Sequence, residues 1–472
     1  MRLAHTLHVA AIVVAAALSA SSHAQVSELM RFETSPRVVR SGDHTGPAGG
    51  VDVEPELRYY TVVTDPGANL MRVHFGAFDL GRVSEIRLSS IEDGRTQRFT
   101  DETLVAWDGW SAIFNGDAVL VELIVAADET ASFEIDEIAS NRPVVQFGED
   151  GGVATLCGSD NRSASNDSRV GRLSGANCGS GGGCGGCTAW LTSLGCALTA
   201  GHCGTASGGL LEFNVPNSDA DGTPNAADPD DQYPVGVNYY AFQNADEGFD
   251  WAIMDVGPNS NTGLRAQAVQ GYFHLSPVIP ADDATLRVTG FGLDDSPSGS
   301  SPNLCCSWDS NGNCTKNGCN ATSLTLQTST GPKTDDTTNT LLYAVDTEPA
   351  NSGSPVIRSS NDFAIAIHTN GGCTSSGGAN LGTRLTQATL DQYLNIFLGT
   401  NGRFVDAAAP SGLPFGTALN PAWSVPSGIS LTPSGGTLSV AGGTYSAASG
   451  NTGTFSTPMT IIAPSGTVTI GN

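Results

Sequence analysis

CTAWLTSLGCALTAGHC, residues 187–203, holds two short apolar runs and ends with a histidine set between Gly201 and Cys203. Cys187 and Cys203 stand 16 residues apart. That spacing lets two neighbouring strands be stapled beside His202, which fixes the backbone that carries the imidazole. Further on, GFDWAIMDV (248–256) embeds Asp250 among apolar residues. It is the carboxylate of its neighbourhood expected to be buried, and a buried aspartate needs a partner. In AVDTEPANSGSPVI (344–357), small residues flank Ser352. They permit a tight turn that exposes the hydroxyl and aims backbone N–H groups at an incoming carbonyl.

Taken singly, each residue has a plain structural reading, since histidines after strands and aspartates before tryptophans are common. Together they occur in the order His202, Asp250, Ser352, separated by 48 and 102 residues. That is the chain order of the chymotrypsin-type triad. A serine hydroxyl is a poor nucleophile, so an imidazole must take its proton, and a carboxylate must hold the imidazole's tautomer.

The first residues carry Arg2, then the apolar run VAAIVVAAALSA, then SSHA before Gln25. This has the form of a signal peptide over 1–24, with Ser22 and Ala24 flanking the cleavage site, and predicts a secreted or periplasmic protein. The apolar run is about half the length needed to span a bilayer, so no membrane anchor is expected. A formal charge of −26 with only two lysines, Lys316 and Lys333, argues against nucleic acid and anionic lipid as partners.

All 11 cysteines fall between Cys157 and Cys373, and export makes disulfides their default reading. The odd count leaves at least one unpaired, and Cys196, among apolar neighbours, is the candidate. Cys305, Cys306, Cys314 and Cys319 are read as two loop-stapling disulfides. Cys184 and Cys187 have zinc-pair spacing, but no second pair or nearby histidine completes a site, so no metal is expected.

Residues 25–150 contain no cysteine, and LMRVHFGAFDL, SEIRLSSI and SFEIDEIA alternate apolar with polar residues. They predict a small β-sandwich-like domain, read either as a propeptide or as an accessory module. A linker rich in Gly, Ser, Asn and Asp follows, where cleavage would be tolerated. Residues 151–400 read as strands closed by a helix at QATLDQYLNIFL. Residues 401–472 form a Gly/Ser/Thr-rich β tail with no charged residue after Asp406. Its short strands resemble an opening β-helix coil, and a bland β-rich or sorting segment is the other reading. The tail offers too few aromatic and charged groups for a carbohydrate site.

CTAWLTSLGCALTAGHC, YAVDT, NSGSPV, AIAIHTNGG and NLGTRLT resemble segments of the bacterial glutamyl endopeptidases, a branch of the chymotrypsin-fold serine proteases. The resemblance covers about 180–395, and TEPxxSGSP is also similar to the lysyl endopeptidases. It implies an all-β fold with two six-stranded barrels, a cleft holding the triad, peptide or protein substrates, and no cofactor. A monomer is expected. The oxyanion donors would be the N–H groups of Ser352 and Ala350. The resembling family has glycine where this chain has Ala350, so a positive φ there would strain the backbone by about 1 kcal/mol.

The resemblance also implies that His368 and Thr347 bind an acidic side chain of the substrate, with the α-amino group of the processed chain as a third element. Asp346, six residues before Ser352, keeps a trypsin- or lysyl-type preference open. In lysyl endopeptidase-like chains a cysteine near the processed N-terminus bonds one just after the glycine pair, which here implies Cys157 with Cys373. A third reading is a non-catalytic adhesion or binding protein on the same scaffold.

Overall fold

The computed structural model describes residues 23–24, 30, 32–49, 53–141, 155–175, 186–204, 208–220, 222–294, 307–308, 314–315, 321–374, 376–399, 401–408, 415–451 and 457–471. The signal-peptide reading of 1–24 falls almost entirely outside them, as do linker residues 147–154; the rest of the expected linker, 155–168, is instead packed on the second barrel through the Cys157–Cys373 bridge and the pairing of Ser163–Ala164 with Thr328 and Gln327. The side chains of Cys305, Cys306, Cys314 and Cys319 also lie outside the described residues.

The middle of the chain is two closed six-stranded barrels. The first joins Val170–Ser174, Cys187–Leu191, Cys196–Thr199, Asp250–Val256, Gln232–Asn244 and Leu210–Glu212 into a closed ring. The second runs Phe363–Gly371, Pro355–Arg358, Thr285–Gly290, Gln327–Asp336, Thr340–Tyr343 and Asn380–Arg384, and the last strand pairs back on the first. Helix Ala388–Phe397 follows, as the sequence predicted, and buries Leu390 and Leu394. The apolar core runs continuously between the barrels, from Trp190 and Trp251 in the first to Ile357 and Ile367 in the second.

On neighbouring strands of the first barrel, Arg172 and Glu212 form a fully buried two-pronged ion pair at 3.0 and 3.1 Å. The Ala227 N–H and Asn225 carbonyl take up their remaining valences. Cys196 is the free cysteine among the described residues, and burial pushes its thiol up to about 12. The predicted Cys187–Cys203 and Cys157–Cys373 bridges are both present.

The N-terminal region is a β-sandwich of two antiparallel sheets. One contains Glu33–Arg40, Thr130–Asn141 and Leu70–Asp79, and the other Glu56–Thr64, Ala118–Val125, Glu85–Ser90 and Thr96–Phe99. The alternation in these strands places Val119, Val121, Leu123 and Val125 inward as one stripe. This domain docks on the first barrel. Gln232 and Ile113 exchange two hydrogen bonds, the Trp107 indole donates to the Pro258 carbonyl, and Asn261 bonds the backbone of Thr96 and Arg98. Arg72 is buried, donating to the Gly208 carbonyl; burial lowers its pKa to about 9 despite the nearby Glu212.

The tail's strands pair in parallel, Arg403–Val405 with Thr437–Val440 and then Thr460–Ile462, and Gly443–Tyr445 with Val468–Ile470. It packs on the barrels through Tyr272 to the Gly442 carbonyl and His274 to Asp406, both at 2.6 Å.

Replacing Arg172 by methionine strands Glu212 without its counter-charge. The variant is expected to lose about 3–5 kcal/mol of stability in denaturant titration, and Arg172→Met with Glu212→Leu to recover most of it.

Candidate active site

His202 lies in a single 3-10 turn, Gly201–Cys203, directly after strand Cys196–Thr199. The 187–203 disulfide ties that turn to the preceding strand. Asp250 opens the strand next to it and is 4% exposed. One carboxylate oxygen accepts the His202 backbone N–H at 2.9 Å and the other lies 2.6 Å from Nδ1. This two-point hold fixes both the ring and its tautomer: Nδ1 carries the proton and Nε2 is left as the acceptor. Nε2 is buried and has no hydrogen-bond partner.

Ser352 sits in the turn between Tyr343 and Pro355, with its backbone fixed from both barrels. Its carbonyl accepts from the Thr188 N–H at 2.9 Å, and the Gly353 N–H donates to the His368 carbonyl at 2.8 Å. Gly353 has φ of +89°, and a Cβ there would lie 2.0 Å from the Thr188 carbonyl oxygen, so only glycine fits. The Ser352 hydroxyl is fully buried and lies 3.4 Å from the Thr369 carbonyl. The structure thus brings His202, Asp250 and Ser352 to the junction of the barrels.

Ala350 has φ of +80°, the strained geometry anticipated from the sequence. An alanine in that region costs about 1–2 kcal/mol relative to right-handed backbone. Thr188 Oγ1 donates to the Ala350 carbonyl at 3.0 Å and holds the peptide in this orientation.

His368 is fully buried, and its Nδ1 lies 2.6 Å from the Tyr343 hydroxyl. Burial, with a smaller contribution from His202, lowers its pKa to about 3, so the ring is neutral at physiological pH. Thr347 Oγ1 lies 3.1 Å from Thr155 Oγ1 and accepts from Asn380 at 2.9 Å. Strand Asn380–Arg384 links the two, because Tyr343 also donates to the Leu381 carbonyl. Asp346 faces elsewhere: its oxygens accept the backbone N–H groups of Cys157 at 2.6 Å and Asn161 at 2.8 Å. Tyr343 escaped the sequence reading because a tyrosine in an apolar strand looks like core. Cys187, His202 and Cys203 are the group of potential metal ligands close enough to share an ion among the described residues, and the disulfide removes both thiolates.

Residues 173–390 match the trypsin family. The barrels form a trypsin-family domain of the chymotrypsin fold. Among solved structures, Glu endopeptidase in complex with MPD is 18% identical, with a TM-score of 0.33, covering 51% of this chain and 98% of its own. The thermostable serine protease AL20 from an extremophilic microorganism is 14% identical (TM-score 0.32; 47% and 94%). HBP is 11% identical (TM-score 0.34; 51% and 97%). No curated protein matches the sequence.

An unfolded histidine protonates near pH 6.5, whereas folded His368 stays neutral down to about pH 3. The unfolded chain therefore binds the extra proton across that window, and folding stability falls as pH drops through it. Denaturant midpoints measured from pH 7 to pH 4 should fall less steeply in His368→Gln than in the native protein.

Proposed function

We propose that the protein is an exported serine endopeptidase in which His202, Asp250 and Ser352 act as a triad. The observation that carries the reading is the two-point hold of Asp250 on His202 within a trypsin-family domain that seats Ser352 at the same junction. His202 Nε2 takes the Ser352 proton as the hydroxyl attacks the scissile carbonyl, and returns it to the leaving amine. Asp250 stabilises the imidazolium that forms. The backbone N–H groups of Ala350 and Ser352 receive the oxyanion of the tetrahedral intermediate, at about 3–4 kcal/mol per donor. Water then releases the acyl group by the same proton relay. No step needs a metal or cofactor, and the substrates are peptides or proteins.

For the residue before the scissile bond we propose glutamate or aspartate. Asp346 spends both oxygens on backbone N–H groups, which leaves it poorly disposed to receive a lysine or arginine. His368 and Thr347 are the candidate carboxylate donors. His368 would offer Nε2–H once the Tyr343 hydroxyl turns its single hydrogen from the Leu381 carbonyl to Nδ1. Thr155 is bonded to Thr347, so a processing cut just before Thr155 would bring an α-amino group close to the same pocket.

The export reading rests on the sequence of 1–24 together with the disulfides. No helix among the described residues is long and apolar enough to cross a membrane.

Peptide-library hydrolysis tests both levels. Ser352→Ala should abolish cleavage in the folded, processed protein. His368→Ala should lose cleavage after glutamate by tenfold or more beyond any loss after other residues, because a buried carboxylate left without a donor is penalised by about 1–3 kcal/mol. Cleavage after lysine or arginine that collapses in Asp346→Asn and ignores His368 would overturn the acidic specificity.

A further inference from the structure

We propose that Arg162 is a positioning residue for the oxyanion loop, holding through Leu293 the peptide orientation that turns the Ala350 N–H toward the substrate. This rests on the protease reading above.

The Asn351 N–H donates to the Glu348 carbonyl at 3.0 Å, which closes residues 348–351 as a hydrogen-bonded turn. Pro349 and Ala350 are its central residues. Proline cannot take a positive φ and Ala350 stands at +80°, so the turn is type II. That turn favours glycine at its third position, because an alanine Cβ there crowds the backbone. Flipping the Pro349–Ala350 peptide would give a type I turn, in which alanine is unstrained. The sequence thus leans toward the other turn. A trans peptide points its C=O and N–H in opposite directions, so the flip would also swing the Ala350 N–H away from the oxyanion.

What opposes the flip comes from outside the turn. The Leu293 N–H donates to the Pro349 carbonyl at 2.8 Å, and that carbonyl belongs to the same peptide as the Ala350 N–H. Arg162 Nη1 donates in turn to the Leu293 carbonyl at 2.6 Å, with its side chain 4% exposed. Gly292 completes the fit, since a Cβ there would lie 2.2 Å from Asn351 Nδ2 and 3.2 Å from Arg162 Nη1. The guanidinium and the turn therefore close on the 292–293 backbone from two sides.

Arg162 is itself held. Burial works against its charge, but the hydrogen-bonded Asp160 together with Glu348 and Asp294 outweighs burial and raises its pKa. The segment leading to it is tied to the nucleophile's own loop, because Asp346 accepts the N–H groups of Cys157 and Asn161.

The test is peptide hydrolysis by Arg162→Met in the protein as secreted, with inhibition by a peptide aldehyde of the best-cleaved sequence and by the matching peptide alcohol. The Ser352 oxygen adds to the aldehyde carbon as its proton passes to His202, and the former carbonyl oxygen becomes an oxyanion. The alcohol forms none. Arg162→Met should lower kcat about tenfold or more with KM within about twofold, and weaken the aldehyde by a similar factor while sparing the alcohol. Arg162→Lys keeps the charge without the fork of donors, so it should fall between, and it decides the question if the methionine variant does not fold. Adding Ala350→Gly to Arg162→Met should recover most of the lost kcat, because glycine removes the bias toward the flipped turn. A folded Arg162 variant with native kcat, a loss shared equally by aldehyde and alcohol, or a loss that Ala350→Gly leaves untouched would overturn the inference. A folded native protein that neither hydrolyses peptides nor binds the aldehyde would instead overturn the protease reading, and this inference with it.

Discussion

The Asp250 carboxylate receives the backbone N–H of His202 on one oxygen and faces its Nδ1 at 2.6 Å on the other. A carboxylate this buried is tolerable only because both oxygens are engaged. Because the hold includes the backbone, the ring cannot swing without disturbing the turn that the 187–203 disulfide anchors. Nδ1–H is thereby fixed, and Nε2 is left as the ring's acceptor. The barrels supply the remainder, since the strands carrying Thr188 and His368 grip the Ser352 turn from either side.

Around that core the N-terminal sandwich is packed on the first barrel. The sandwich binds the first barrel through buried polar pairs that would be costly to expose singly, such as the reciprocal bonds of Gln232 with Ile113. Ala350, at φ of +80°, has its carbonyl held by Thr188, and its side chain joins the apolar cluster that contains the sandwich core.

Much of this was legible in the sequence because the signals are local. Cysteine spacing gave the 187–203 bridge, apolar neighbours marked Asp250 as buried and Cys196 as the unpaired thiol, and period-two alternation marked the sandwich strands. The long-range Cys157–Cys373 bridge came from family resemblance alone. What stayed hidden depends on tertiary proximity. Arg72 sits in an alternating strand as an ordinary charge, yet it is buried against Gly208, and Asn261 reads as a turn residue, yet it bonds the sandwich. Asp346 stands at the offset of a cation-binding aspartate, and only its partners, the N–H groups of Cys157 and Asn161, reveal its structural employment. The parallel direction of the tail's pairing agrees with the β-helix-coil resemblance of its short Gly-punctuated strands, the reading set beside a bland β-rich or sorting segment.

The most direct measurement is kcat for peptide hydrolysis by Asp250→Asn in the processed protein, as a function of pH, beside its near- and far-ultraviolet circular dichroism. The amide keeps the shape of the hold but can present an N–H to Nδ1, which favours the wrong tautomer. The account predicts a native fold with kcat lowered by about 10⁴ near neutral pH. A folded Asp250→Asn protein that retains near-native kcat would contradict it.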